Sequence, residues 1–351
     1  MTKNEQTKKL LLSHRDKYPE MQINDLFKFV FHSAFGCEHL LSSPDAAEQY
    51  IKEEYEKGVP DRNIEELDGD FVRVPLSYLG RGLCADTLAK LFFMSAKEEK
   101  DSTEEFKRRL SIAGELVVAG CFSFGYDEFS LALEKWEREG YPAVHHSQAY
   151  KDAYSPAYRV ISKKYAHFIP LFCEIDKRGK NGIIAIDGRC ASGKTTLGDF
   201  LKELYDCSLF HMDDFFLRPE QRTKERYAEV GGNIDRERFL SEVLIPLHQK
   251  EKSIEYRKFD CSVRELTQPE KVEVKPLTVV EGVYSMHTEL APYYDFSVFL
   301  SIDGDLQKKR IEKRNTPEMS ARFFDTWIPL EEKYFAKMSV KERSCLVISV
   351  E

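Results

Sequence analysis

The segment IIAIDGRCASGKTTL fits G-x-x-x-x-G-K-[ST] at Gly188, Gly193, Lys194 and Thr195, between an apolar strand-like run and a helical stretch. Glycines at both ends let the backbone curl until its N–H groups converge on phosphate oxygens, and the helix that follows turns its positive end to the same place. Gly188, Arg189, Cys190, Ala191, Ser192, Gly193, Lys194, Thr195 and Thr196 are therefore expected to cradle the phosphates of a nucleotide such as ATP. Lys194 is expected to hold the β and γ phosphates, and the Thr195 hydroxyl to ligate Mg²⁺. Cys190 reads as a small filler of a variable position.

Moving a phosphoryl group onto a hydroxyl requires a carboxylate to take the proton, a metal ion bridging the phosphates, and positive charge over the leaving group. Three acids follow apolar runs: Asp213 after CSLFHM, Glu281 after LTVV and Asp303 after FSVFLSI. Asp213 is the candidate base, and Thr195 with Glu281 the candidate metal side. In LQKKRIEKRN, Arg310 and Arg314 stand four residues apart, on one face of a predicted helix, as a candidate catalytic lid.

These residues need a scaffold that brings strand ends together. From Gly182 onward, apolar runs (GIIAID, CSLFHM, LTVVEG, FSVFLSI, CLVISV) alternate with helical patterns starting near Lys194, Arg236 and Asp305. The alternation predicts an α/β fold, a parallel sheet covered by helices. The first half has a different grammar. SSPDAAEQYIKEEYEKG offers Ser43 as N-cap, Pro44 at the first helical position and Gly58 as the stop. DSTEEFKRRLSIAGELVVAG offers a capping box, Ser102 with Glu105, before an apolar face of Phe106, Leu110, Ile112 and Leu116. GYDEFSLALEKWEREG reads as a third helix. The expected organisation is a mainly α-helical domain over 1–176, a linker over 177–182 and a phosphate-loop domain over 183–351.

The order of the segments resembles a known family. IAIDGRCASGKTTL, HMDDFF, GGNIDRERF, EYRKFDCSVRE, VVEGVYSMH and DGDLQKKRIEKR, over about Gly182 to Asn315, are similar to the segments of the P-loop uridine kinase family, with its phosphoribulokinase and pantothenate kinase relatives. The resemblance implies that Asp213 is the general base facing the acceptor hydroxyl and that Asp214 bridges or faces solvent. It also implies that Asp235 holds acceptor hydroxyls, with a helix N-cap as its other reading, that Glu281 helps to place Mg²⁺, and that Arg310 and Arg314 are lid arginines. Gln307 stands where the family has another lid arginine. Tyr256, Asp260 and Arg264 fall in the family's acceptor-reading segment, where Phe259 and Asp260 replace a tyrosine–aspartate pair, Arg264 comes early and no histidine follows. In TWIPLEEKYFAKMS, Trp327, Tyr334 and Phe335 beside Glu331 and Glu332 read as helix packing in preference to a lid over the substrate.

The N-terminal half holds His32, Glu38, His39, His145 and His146, whose spacing matches no metal motif, and a Tyr/Pro-rich stretch with Arg159. They read as structural groups, with a second active site, a ligand site or a regulatory cover as the alternatives. The net charge of −8 argues against a general nucleic-acid binder. No stretch approaches a membrane span, no secretory leader is apparent, and eight scattered cysteines suggest reduced, mostly buried thiols, so a cytoplasmic protein is expected. The reading is an ATP- and Mg²⁺-dependent kinase of a small hydroxylated metabolite, nucleoside or sugar-like; the alternative is a P-loop ATPase coupled to the helical half. The sequence is open to a homo-oligomer.

Overall fold

Capping residues start the N-terminal helices where the sequence places them. In a computed structural model, which describes residues 2–36, 43–98 and 100–350, the Ser43 hydroxyl accepts the Ala46 N–H at 3.1 Å and the helix Pro44–Glu56 follows. Ser102 accepts the Glu105 N–H at 3.2 Å and begins Thr103–Val118, whose Phe106, Leu110, Ile112 and Leu116 are buried. Only half of that capping box forms, because the Glu105 carboxylate turns to Arg108 at 2.7 Å. With Lys3–Lys17, Ile23–Phe35, Ala85–Ala96, Tyr126–Arg138 and Ile169–Lys177, these helices make the unit Met1–Lys177 mainly α-helical.

A small sheet that the sequence reading did not assign lies among them: β1 (Glu65–Glu66), β2 (Phe71–Pro75) and β3 (Tyr158–Ser162), antiparallel in that order. All five β2 residues are buried, Arg73 included. Its guanidinium donates to Glu65 Oε2 at 3.0 Å and lies over the rings of Phe29 and Tyr158.

The unit Arg178–Glu351 is built on parallel strands, of which four are mostly buried on both faces, as in helix-covered sheets, while the edge strand Leu346–Val350 exposes Val347 and Ser349. Its strands are β4 (Gly182–Gly188), β5 (Ser208–His211), β10 (Leu277–Glu281), β11 (Phe296–Ile302) and β12 (Leu346–Val350), in the order β12-β11-β4-β10-β5, all parallel. Two short antiparallel pairs, β6 (Ser253–Tyr256) with β9 (Glu270–Glu273) and β7 (Phe259–Asp260) with β8 (Glu265–Leu266), stand outside this sheet. Since β4 is flanked by β10 and β11 while β5 lies beyond β10, the chain reverses its direction of winding at β4, and a crevice opens at the carboxyl ends there.

Thiols follow local packing. Of the seven described cysteines, Cys173, Cys190 and Cys207 are buried, Cys84 and Cys121 are half-buried, and Cys261 and Cys345 are exposed, so burial is less general than expected. Among the described residues no helix is long and apolar enough to cross a membrane.

Candidate functional site

The loop between β4 and the helix Lys194–Tyr205 is shaped by two glycines. Gly188 has φ +143°, and a Cβ there would meet Leu300 O of β11 at 2.4 Å, so only glycine lets the two strands approach. Gly193 has φ +93°, and nothing beyond its adjoining chain lies within 4 Å of its Cβ position, which leaves open space over the helix N-terminus. Parallel pairing sets Glu281 against both Ile186 and His211, and the carboxyl ends of β4, β5 and β10 therefore converge.

They enclose a cavity of about 370 Å³ whose wall includes Ala191, Lys194, Thr195, Asp213, Glu281 and Trp327. The Lys194 ammonium donates to the loop carbonyls of Gly188 at 2.8 Å and Arg189 at 2.9 Å. Thr195 Oγ1 donates to Glu281 Oε1 at 3.1 Å, and His211 Nδ1 lies 2.6 Å from the same oxygen. The bond to Glu281 raises the His211 pKa. A hydroxyl and a carboxylate suit a hard cation, and their 3.1 Å separation is near the roughly 3 Å between adjacent oxygens of an octahedral Mg²⁺. Among the described residues no group of three or more His, Cys, Asp or Glu is placed to hold a metal ion.

Asp213 and Asp214, neighbours in a single turn of 3₁₀ helix (Met212–Phe215), diverge completely. The Asp213 carboxylate faces the cavity and has no hydrogen-bond or ion-pair partner among the described residues. It is open to the cavity yet has protein on most sides, so desolvation raises its pKa, against the pull of Lys194 and with the push of Glu281. Asp214 turns to the β6 side, where Tyr256 donates to it at 3.3 Å and Lys258 lies 4.0 Å away. Burial raises its pKa too.

The remaining sequence candidates are distributed unequally. Arg314 lines the cavity with its guanidinium over Phe323, whereas Arg310 donates to Ala191 O at 3.3 Å behind the loop. Gln307 is buried and donates to Cys190 O at 3.1 Å. Asp303 caps the helix Gly304–Arg314 through the Asp305 N–H at 2.9 Å. Asp235 is buried, caps Arg236–Phe239 and receives Arg238 Nε at 3.3 Å, while its neighbours Asn233 and Ile234 line the cavity. Tyr256 stacks on Phe215, Asp260 accepts the Ser262 N–H at 2.8 Å, and Arg264 occupies the tip between β7 and β8 at φ +61°; none of the three lines the cavity. Cys190 is buried, and burial pushes its thiol up to about 12, consistent with a filler.

Sequence reasoning missed several groups. Asp187, fully buried at the end of β4, accepts the Tyr334 hydroxyl at 2.7 Å and the Met286 N–H at 2.9 Å. The segment 327–335 divides: Tyr334 and Phe335 pack in the core as expected, but Trp327 and Glu331 reach the cavity. Phe216, Asn233, Tyr284 and Phe323 complete its wall. The signal was present in the Glu331–Glu332 pair, two acids beside aromatic residues on an otherwise packed helix.

In the N-terminal unit, His146 lies between Asp25 (Nδ1 to Oδ1, 2.6 Å) and the Tyr158 hydroxyl (Nε2, 2.6 Å). Burial lowers its pKa to about 4. His32 lies 3.5 Å from Arg73 Nη2, His145 is exposed, and Arg159 pairs with Glu54 at 2.8 Å. Glu38 and His39 lie outside the described residues.

No family model matches the chain, and no curated protein does. Solved structures of kinases are similar over about half of it. A possible uridine kinase from Bacillus stearothermophilus is 21% identical, with 48% of this chain and 88% of the other covered and a TM-score of 0.38. Shikimate kinase from Bacteroides thetaiotaomicron is 16% identical over 48% of this chain and 86% of its own, with a TM-score of 0.26. Shikimate kinase from Acinetobacter baumannii, solved with shikimate, is 16% identical over 49% and 84%, again with a TM-score of 0.26.

Proposed function

We propose that the C-terminal unit is an ATP- and Mg²⁺-dependent kinase that transfers the γ-phosphate to a hydroxyl of a small metabolite. The observation that carries this reading is an unpartnered carboxylate, Asp213, on the same cavity as the loop lysine and its neighbouring hydroxyl. The loop N–H groups receive the phosphates, and Lys194 exchanges its carbonyl partners for phosphate oxygens. Thr195 and Glu281 would hold Mg²⁺, which when bound neutralises charge on the β and γ oxygens. The acceptor lies against Phe216, Tyr284, Phe323 and Trp327, with the Asn233 amide for a polar group. As its oxygen bonds to the γ-phosphorus, the bond to the ADP oxygen breaks and the hydroxyl proton passes to Asp213. Arg314, on the cavity wall, offsets the transferring charge.

A carboxylate with a raised pKa is a stronger base than one with the ordinary value, which suits Asp213 to this role. The test is a screen of nucleosides, sugars and polyols for ADP formation. A kinase consumes ATP quickly only with its acceptor; an ATP turnover equally fast in water alone rejects the proposal in favour of an ATPase.

A further inference from the structure

The first half of the phosphate loop is gripped by one helix, Ile328–Met338. Glu332 holds Arg189 through Nε at 2.5 Å and Nη2 at 3.0 Å. Glu331, 6% exposed, accepts the Cys190 backbone N–H on Oε2 at 2.9 Å. A loop N–H of the kind that such motifs offer to phosphate is thus given to a carboxylate of the chain itself. That carboxylate also lines the cavity that holds Lys194 and Asp213.

The charged and titratable groups facing it come from every surrounding element. The cations whose charge it feels are Lys194 and, on the same loop, Arg189. Arg314 lines the same cavity from the helix that precedes 317–338. Asp187 at the end of β4, Asp213 and Glu281 at the ends of β5 and β10, and Glu332 on its own helix are the acids. The Cys190 thiol and the Tyr284 hydroxyl complete the set. A nucleoside triphosphate adds several negative charges to a wall that already holds three carboxylates, Asp213, Glu281 and Glu331.

Resting on the nucleotide reading above, we propose that Glu331 is an internal anion of the loop, and that ATP binds with uptake of a proton by Glu331. The protonated carboxyl then donates to a phosphate oxygen that the carboxylate would repel. Burial already lifts the group to about 6, so at neutral pH it is mostly ionised before the nucleotide arrives and readily protonated when more negative charge comes close.

The experiment is ATP binding with Mg²⁺, without acceptor, by titration calorimetry from pH 6 to pH 8 in buffers of different ionisation enthalpy. Wild type is compared with Glu331→Gln, whose amide oxygen can still accept the Cys190 N–H. The protonation of ATP itself is common to both and cancels in the comparison. If only the protonated form admits ATP, the Kd of wild type relative to the variant rises about 50-fold between pH 6 and 8, with nearly one extra proton taken up per ATP at the upper end. Glu332→Gln, which loosens Arg189 without removing the titrating group, keeps the wild-type pH dependence. Parallel curves for wild type and Glu331→Gln, or loss of the pH dependence in Glu332→Gln as well, overturn the proposal. Absence of ATP binding to all three, wild type included, overturns the nucleotide reading together with it, whereas loss confined to either variant overturns the proposal alone.

Discussion

Replacing Asp213 by asparagine keeps the volume of the side chain and removes only its capacity to take a proton. Positioned bases contribute about 10²- to 10⁴-fold to proton-coupled steps, or about 3–5 kcal/mol of barrier, and the rate of acceptor-dependent ADP formation is expected to fall by that factor. ATP binding should stay within about threefold of wild type, because the Asp213 carboxylate bonds to nothing in the loop. The contrast with Asp214→Asn sharpens the test. That substitution weakens one long bond, the 3.3 Å contact from Tyr256, worth about 0.5–1.5 kcal/mol, and is expected to slow turnover by no more than about tenfold. The pH profile gives a second reading. Since burial raises the Asp213 pKa, the wild-type rate should fall on acidification at a pH above that of an ordinary aspartate, and this limb should vanish from the residual rate of the variant. The same sign implies that ionised Asp213 lowers stability, so the variant should unfold no lower in temperature than wild type. If Asp213→Asn turns over within a few-fold of wild type, or if it loses ATP binding, the assignment of the base is wrong.

Three further outcomes can be measured. Thr195→Val removes an exposed hydroxyl beside Glu281 and should raise the Mg²⁺ concentration for half-maximal rate by about tenfold or more, with thermal unfolding unchanged; an unaltered Mg²⁺ curve removes Thr195 from the metal side. Arg73→Met removes a buried guanidinium from half-buried Glu65, which keeps Lys17 at 3.2 Å, and should destabilise the N-terminal unit by about 1.5–3 kcal/mol, read from urea unfolding followed by the fluorescence of buried Trp136 in a Trp327→Phe background; a loss below about 0.5 kcal/mol contradicts the pairing. His146, whose folded pKa is about 4 against 6.5 for a free imidazole, takes a proton more readily when unfolded, so stability present at neutral pH is lost as pH falls from about 6.5 to 4. The 2.5-unit difference corresponds to a loss of up to about 3 kcal/mol, which the same fluorescence assay detects and which His146→Gln should abolish.

What the sequence made legible was local. The loop, its flanking strand and helix, and the alternation that yields the parallel sheet depend on residues within one or two elements of each other, and all appear where the pattern placed them. Contacts made across the chain were not legible. Glu331 reaches Cys190 over 141 residues, Tyr334 reaches Asp187 over 147, and Gln307 reaches Cys190 over 117, so nothing in the neighbourhood of either partner announces the other. The small N-terminal sheet was hidden for a related reason. FVRVP carries an arginine that an alternating pattern would send to solvent, and its burial depends on Glu65, Phe29 and Tyr158, from three other elements. Asp235, Tyr256, Asp260 and Arg264 show the converse: residues near the right place in the chain whose side chains are aimed by capping, stacking and turn geometry away from the cavity.

The acids at the carboxyl ends of the strands can be ordered by how fully they are satisfied. Buried carboxylates in folded chains normally have hydrogen-bond partners, because an ionised oxygen without one carries the whole desolvation penalty. Asp187 has the Gly188 and Met286 N–H groups and the Tyr334 hydroxyl; Asp235 has Arg238 through both backbone and side chain; Glu281 has Thr195 and His211; Asp214 has Tyr256. Asp213 has none of these, although it sits among the same strand ends. Asp213 is exposed to the cavity, where water can satisfy it in place of a chain partner, and under the proposed function the acceptor hydroxyl would take the place of that water.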